Sequence, residues 1–183
     1  MSLHRPQSGH PARGATLLEF LVYVAIIGVV LTTATSFAVE FVNAQAKAAA
    51  IAEAVRNARF AASRMEIEIR EASDVNAGSS VFGSNPGTLS LATANVGTNP
   101  TVFTVSGGAL NVQQGGGAVI PLTNSKVDVQ EFTVENVSTA GKTKAIRIHL
   151  KVAAKNAGNL VEQAASTVVE STVRIESKDG FSN

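Results

Sequence analysis

The chain has 183 residues, with 15 Lys and Arg against 14 Asp and Glu, a formal net charge of +1, and no cysteine. This length allows one domain with a modest core, or a small domain carrying a long extension. Without cysteine there is no disulfide framework, no Cys-ligated zinc, no iron–sulfur cluster and no thiol nucleophile. The near-zero net charge gives no electrostatic reason to expect nucleic acid as a direct partner.

The chain begins with a polar stretch, residues 1–14, which carries Arg5 and Arg13. Residues 15–38 follow as an apolar run in which Glu19 is the only charged residue. As a helix this run would be about 36 Å long, enough to span the roughly 30 Å hydrocarbon core of a bilayer. Because the basic residues lie on its N-terminal flank, residues 1–14 are expected in the cytoplasm and the remainder outside it.

Two ordinary interpretations of this run are a secretory signal peptide cleaved near residues 34–38 and a plain single-span anchor. Glu19 argues against both, because a carboxylate in a membrane segment costs up to about 2.5–3.5 kcal/mol and usually marks a function.

The ten residues from Arg13 to Val22, RGATLLEFLV, resemble the cleavage and methylation signature of type IV pilins and type II secretion pseudopilins. The resemblance implies that a prepilin peptidase cuts between Gly14 and Ala15 and methylates the new amine of Ala15. It also implies that Glu19, the fifth residue of the processed chain, pairs with the N-terminal amine of a neighbouring subunit during assembly.

A helical pattern continues through residues 39–75, where neither Gly nor Pro occurs. Small and apolar residues recur there at alternating spacings of three and four, which predicts an amphipathic helix ending near Asp74. The predicted stripe comprises Phe37, Phe41, Ala44, Ala48, Ile51, Val55, Ala58, Ala62, Met65, Ile69 and Ala72, with Glu68 among the charged residues on the opposite faces. A dimeric coiled coil is the alternative, but so many alanines make a weak seam, which favours packing beneath the chain's own sheet.

Residues 76–183 form a β-rich region, with five to seven short strands predicted in an antiparallel meander. The predicted strands are Gly87–Ala94, Thr101–Ser106, Ala109–Gln114, Lys126–Val134 with a bulge at Glu131, Ala145–Val152 and Ser166–Glu176. Gly107 and Gly108 predict a two-residue hairpin turn. The expected fold is therefore α+β, a long N-terminal helix packed on a C-terminal antiparallel sheet, which the family resemblance also implies.

The sequence shows no pattern of residues typical of a catalytic or ligand-binding site. His4 and His10 lie in the predicted leader, His149 is predicted to be solitary on the outward face of a strand, and no His pair has zinc-ligand spacing. Gly115–Gly117 lacks the ending of a phosphate-binding loop. We therefore expect no enzyme activity, no cofactor, no metal and no small-molecule substrate.

The expected function is that of a structural and assembly subunit of a type IV pilus or type II secretion pseudopilus. Its expected partners are the prepilin peptidase, other pilin or pseudopilin subunits and the inner membrane, with the β region outside the cytoplasm. The strand content and lack of cysteine most resemble minor subunits, while pilus, secretion and DNA-uptake machines stay open. The alternative is an exported soluble or membrane-anchored binding or adhesion domain with a conventional signal sequence.

Overall fold

In the computed structural model, residues 16–139, 144–155 and 164–176 are described. The chain divides into two compact units, residues 1–42 and residues 43–183. One helix, α1 (Leu17–Glu71), begins in the first unit and ends in the second. Three residues beyond it the strands begin, so the α+β arrangement of an N-terminal helix packed on antiparallel sheets is confirmed.

In the second unit, the helix ends where the backbone begins to bond a strand. Glu71 is its last residue, and the N–H of Ser73 donates to the carbonyl of Ala92 at 2.9 Å. This bond opens the pairing of β1 (Asp74–Val75) with β2 (Thr88–Ala92). The helix therefore ends three residues before the predicted Asp74, which belongs to a strand.

Five strands form the first sheet, in sequential order and with every neighbouring pair antiparallel. After β1 and β2 come β3 (Thr101–Ser106), β4 (Ala109–Gln114) and β5 (Ile120–Pro121). Gly107 and Gly108 join β3 to β4 with φ of +60° and +75°. Positive φ at both central residues is the geometry of a tight hairpin turn, so the predicted turn is confirmed.

The second sheet has three antiparallel strands, β6 (Val127–Asn136), β7 (Ala145–Ala154) and β8 (Ser166–Arg174), again in sequential order. Register shifts between Val129 and Glu131, so Gln130 is the extra residue of a bulge. The predicted bulge is therefore confirmed, with Gln130 and not Glu131 as its extra residue. It lets Val127, Val129, Phe132 and Val134 all face the core.

One apolar core joins both sheets to the helix. From the helix it takes Ala58, Ala61, Met65 and Ile69, and Ala72 joins it just beyond the helix end. From the sheets its largest side chains are Phe103, Phe132, Leu89, Leu91, Leu110 and Leu150. The alanines leave room for large sheet residues to approach the helix backbone. These side chains make the core of the second unit continuous from one sheet to the other.

The prediction of one antiparallel meander of five to seven strands is wrong, because the described residues form eight strands in two sheets. The predicted helix stripe is also partly wrong. Its members before Ala54 are exposed, whereas Ala54, Asn57, Ala61 and Glu68 are buried in addition to the predicted residues near the helix end. Two sheets cover a wider face of the helix than one sheet does, so positions beside the stripe are buried with it.

Candidate functional site

The first unit is an apolar helical segment without a protein core around it. Every residue from Thr16 to Val42 is exposed in the isolated chain, and the only charged residues within residues 16–42 are Glu19 and Glu40. By length and composition this helix could cross a membrane, although a signal sequence meets the same test. So much contiguous apolar surface marks a contact with lipid or with another protein.

The hydroxyl groups of this segment bond the helix backbone. Thr32, Thr35 and Ser36 each donate to the carbonyl four residues earlier, at 2.8, 2.8 and 3.1 Å, and Thr33 donates to Val29 and Val30. A hydroxyl that bonds its own helix needs no water, which suits an apolar environment. The polar residues of the segment are thus compatible with burial in lipid or in a helix bundle.

Glu19 lies in the first turn of α1, where the helix dipole favours a negative charge. The Thr16 hydroxyl accepts a hydrogen bond from the Glu19 backbone N–H at 3.3 Å. One turn later, the Tyr23 hydroxyl donates to Glu19 Oε1 at 3.0 Å. Tyr23 therefore engages one carboxylate oxygen, and the other oxygen has no hydrogen-bond partner among the described residues. Gly14 and Ala15, the predicted cleavage and methylation positions, lie outside the described part of the chain.

In the second unit, polar side chains of the helix bind the loop that precedes β6. Asn57 is buried, and its Oδ1 accepts the backbone N–H of Asn124 at 2.9 Å. The Asn124 amide in turn donates to Glu53 Oε1 at 2.6 Å. This hydrogen bond, aided by Asn57 and Arg56, lowers the pKa of Glu53 despite the opposing effect of partial burial. Glu53 is thus held in its charged form, and the cluster fixes the loop to the helix.

Glu68 is the second polar contact between helix and sheet, and its predicted place on an exposed face is wrong. It is only 6% exposed, pairs with Arg64 one turn earlier, and accepts a hydrogen bond from Gln114 Nε2 at 3.0 Å. Both partners contact the same carboxylate oxygen, Oε1, and together they offset part of the cost of burying this charge. Glu66 pairs with Arg70 at 3.8 Å, and Ser171 of β8 also donates to Glu66, at 2.6 Å.

The outward face of the second sheet carries a network of charges around a shallow cavity of about 390 Å³. His149 lies on β7 with its Nδ1 2.9 Å from Glu170 Oε1 on β8 and its Nε2 3.3 Å from Glu131 Oε2 on β6. Lys151 Nζ also donates to Glu131, at 3.0 Å, and this bond lowers the pKa of Glu131. Both ring contacts are hydrogen bonds only in the doubly protonated ring, because a neutral imidazole has one N–H.

The prediction that His149 is solitary is therefore wrong. Adjacent strands of an antiparallel sheet bring residues from distant parts of the sequence directly opposite one another, and this pairing is not visible in the spacing along one strand. The network joins all three strands of the sheet. Within residues 16–139, 144–155 and 164–176, no group of three or more His, Asp or Glu side chains is arranged to hold a metal ion.

Comparison with known proteins gives no relative. Neither a scan against known protein families nor searches of characterised proteins and of solved structures finds a match for this chain.

Proposed function

We propose that the chain is a structural subunit of a type IV pilus or type II secretion pseudopilus, anchored in the inner membrane before assembly. In this role a prepilin peptidase cuts between Gly14 and Ala15 and methylates the new N-terminus. The processed chain then packs its apolar helix against the helices of other pilin-like subunits. The second unit remains outside the cytoplasm as a folded head.

The observation that carries the proposal is the position of Glu19. It is the only charged residue among the apolar residues 15–38, and it lies in the first turn of a helix whose residues are all exposed as far as Val42. An exposed carboxylate at this place is costly in lipid unless it meets a positive charge. Cleavage before Ala15 supplies that charge, because it creates an α-ammonium group four residues upstream of Glu19.

The chemistry of this pair favours assembly between chains. Four residues correspond to about 6 Å along a helix axis, so an axial offset between two parallel helices can bring the amine of one chain to Glu19 of another. In an apolar surrounding the two charges attract strongly, and each lowers the cost of burying the other. Methylation leaves the amine able to carry its proton, so the pair survives the modification. Tyr23 holds one Glu19 oxygen, which leaves the second oxygen for the amine.

The helix surface supports the same role. The exposed apolar side chains between Leu17 and Val42 need a cover, and the hydroxyl groups among them are bonded to the helix itself. Such a surface packs in lipid before assembly and against similar helices afterwards without leaving hydroxyl donors unpaired.

The role of Glu19 is tested by incorporation into filaments in the native host. We expect Glu19→Ala to be processed and to keep a folded head, but to be lost from the sheared filament or pseudopilus fraction. Glu40→Ala is the matched control, because it removes the other acid of the same exposed segment, and we expect normal incorporation. Glu19→Ala subunits that enter filaments at the parental level would contradict the proposed role.

The cleavage step is tested separately through Gly14. We expect a Gly14→Val chain to stay in the membrane at its full length, because the peptidase needs the small residue before the cut. Processing of this variant at the parental site would contradict the assignment of Gly14 and Ala15.

A further inference from the structure

β8, the last strand of the second sheet, pairs with β7 on one side and with no described strand on the other. In the β7–β8 ladder, Ile175 N–H donates to the Lys144 carbonyl at 2.9 Å, and Ala154 N–H donates to the Ala165 carbonyl at 2.8 Å. The odd-numbered residues at both ends of the strand therefore direct their backbone groups toward β7. Because direction alternates along a strand, the even-numbered residues direct theirs away from the sheet: Ser166, Val168, Glu170, Thr172 and Arg174.

The backbone groups at this edge have no hydrogen-bond partners among the described residues. The sheet order places β8 last, and no described backbone or side-chain group bonds the N–H or C=O of its five outward-directed residues. Just beyond the strand, the N–H of Glu176 donates to the carbonyl of Arg70 at 3.2 Å, which confirms the outward direction of even-numbered residues and marks where the free edge ends.

The opposite edge of the same sheet is closed. The N–H of Val129 donates to Gly108, and the carbonyls of Phe132 and Val134 accept from Gly87 and Gly83, at 2.8, 2.7 and 2.9 Å. The Asn85 side chain bonds two further backbone groups of β6. In the first sheet, the outer strands β1 and β5 have two residues each, and β5 includes a proline. Short strands and proline are devices that protect sheet edges, and β8 has neither.

The side chains of β8 give this edge a charge pattern. Glu170 and Arg174 are its only charged residues; both are exposed and lie on the outward face of the sheet, four positions apart. Val168, on the same face, is 49% exposed. An added antiparallel strand would place its own side chains directly opposite these residues, where opposite charges stabilise the pair and like charges destabilise it.

We propose that the β8 edge is a docking site for a second copy of this chain, whose own β8 adds as an antiparallel strand about Thr172, so that Glu170 of each copy lies opposite Arg174 of the other. Main-chain hydrogen bonds supply the attachment, and the two charge pairs fix the register. The site is independent of the assembly role of the N-terminal helix, so either proposal can fail without the other.

A peptide of residues 168–176 is a suitable probe, because its own Glu170 and Arg174 fall opposite Arg174 and Glu170 of the protein when it pairs antiparallel about Thr172. We expect the fluorescently labelled peptide to bind the full-length chain in detergent saturably, as measured by anisotropy. An N-methyl group on the Thr172 amide of the peptide removes a donor that faces the protein, so we expect binding to be lost.

The matched control is the peptide with its N-methyl group on the Val173 amide, which faces away from the protein. We expect it to bind as the parent peptide does. Equal affinity of the two methylated peptides, or no saturable binding of the parent peptide, would overturn the proposal.

The register is tested by charge exchange. A peptide in which Glu170 and Arg174 are exchanged sets like charges opposite one another, and we expect its affinity to fall about two- to fivefold for each pair. The exchanged protein, Glu170→Arg with Arg174→Glu, should restore the affinity of the exchanged peptide. No effect of either exchange would overturn the proposed register.

The chain itself offers one other occupant of the edge, which is distinguishable in the same system. If the peptide binds only a chain truncated after Glu176, the chain's own C-terminal residues cover the edge and the proposal is wrong. Thr172→Cys, the only cysteine in its chain, should form a disulfide-linked dimer in detergent because Thr172 of the two copies lie opposite one another, and failure to form this dimer would overturn the proposal.

Discussion

Asn57 on the helix and Asn124 in the loop before β6 are bonded although 67 positions separate them along the chain. The Oδ1 of Asn57 accepts the Asn124 backbone N–H at 2.9 Å, while its Nδ2 donates to the Glu53 carbonyl at 2.9 Å. Asn57 is only 8% exposed, so the oxygen and the nitrogen of its side-chain amide are both hydrogen-bonded in a position that is nearly shielded from solvent. A single buried side chain thus joins the helix to the loop that precedes β6, the first strand of the second sheet.

Replacing Asn57 by Ala should destabilise the head by about 1–3 kcal/mol, because the backbone N–H of Asn124 loses its partner in a buried position. Chemical denaturation in detergent, followed through the β-sheet signal, measures this change. Arg56→Ala is the control, since Arg56 is exposed and its ion pair with Glu53 is expected to contribute less than about 1 kcal/mol. Equal losses of stability for the two substitutions would contradict the proposed contribution of the Asn57–Asn124 hydrogen bond.

The hairpin glycines predict a graded series. Gly107→Ala meets no other atom but forces a side chain into φ +60°, so we expect a loss of about 1 kcal/mol. Gly108→Ala has the same backbone strain, and its new Cβ also collides with the Asp128 carboxylate, so its loss should be larger. Thermal unfolding of the variants measures the series.

Two controls separate strain from collision. Adding Asp128→Ala to Gly108→Ala should bring the loss back to the level of Gly107→Ala. Gly116→Ala, where φ is not in the left-handed region and a Cβ meets nothing, should be nearly neutral. A Gly108→Ala chain as stable as the parent would contradict the described turn.

Stability at low pH should depend on Asp74. The hydrogen bond from Lys144 at 2.8 Å, then the Val75 N–H, hold the pKa of Asp74 below its ordinary value. A carboxyl whose pKa is lowered by folding stabilises the fold above its unfolded pKa of about 3.9, and this contribution disappears as pH falls through the lowered folded pKa. The parent chain should therefore lose stability below about pH 4.

Lys144→Met removes the main cause of the shift, so its unfolding temperature should fall less steeply than that of the parent between pH 5 and pH 2. Both side chains are about half exposed, so the difference should be small and should shrink in high salt. Lys126→Met, which removes an exposed lysine without an ion pair among the described residues, is the control. If the unfolding temperatures of Lys144→Met and of the parent fall equally steeply between pH 5 and pH 2, the proposed effect of Lys144 on Asp74 is contradicted.

Much of the sheet structure could be predicted because alternation of apolar residues is local. Strands β3 and β4 have the predicted bounds, and Ile146, Ile148, Leu150 and Val152 all face the core as their spacing indicates. The two-residue strands β1 and β5 are too short to show alternation. Alternation also shows which face of a strand is buried, but it does not show which sheet the strand belongs to. The division into two sheets was therefore not predictable.

The buried polar residues could not be predicted for a different reason. Glu68 and Asn57 are polar residues in a helical segment, for which the sequence predicts exposure. Their burial depends on hydrogen bonds with Gln114 and Asn124, which lie far away in the sequence. The partners of His149 are likewise on neighbouring strands. In contrast, Glu19 could be singled out from the sequence, because a lone acid in an apolar run stands out without any knowledge of its partner.

The most direct test of the proposed assembly role is the intact mass of the mature protein purified from membranes of the native host. The account predicts the mass of residues 15–183 plus one methyl group, with fragmentation placing that methyl group on the amine of Ala15. A mature chain that has lost about 38 residues would instead identify a conventional signal sequence and an exported domain. That result, or an unprocessed chain that begins with residue 1, would contradict the account.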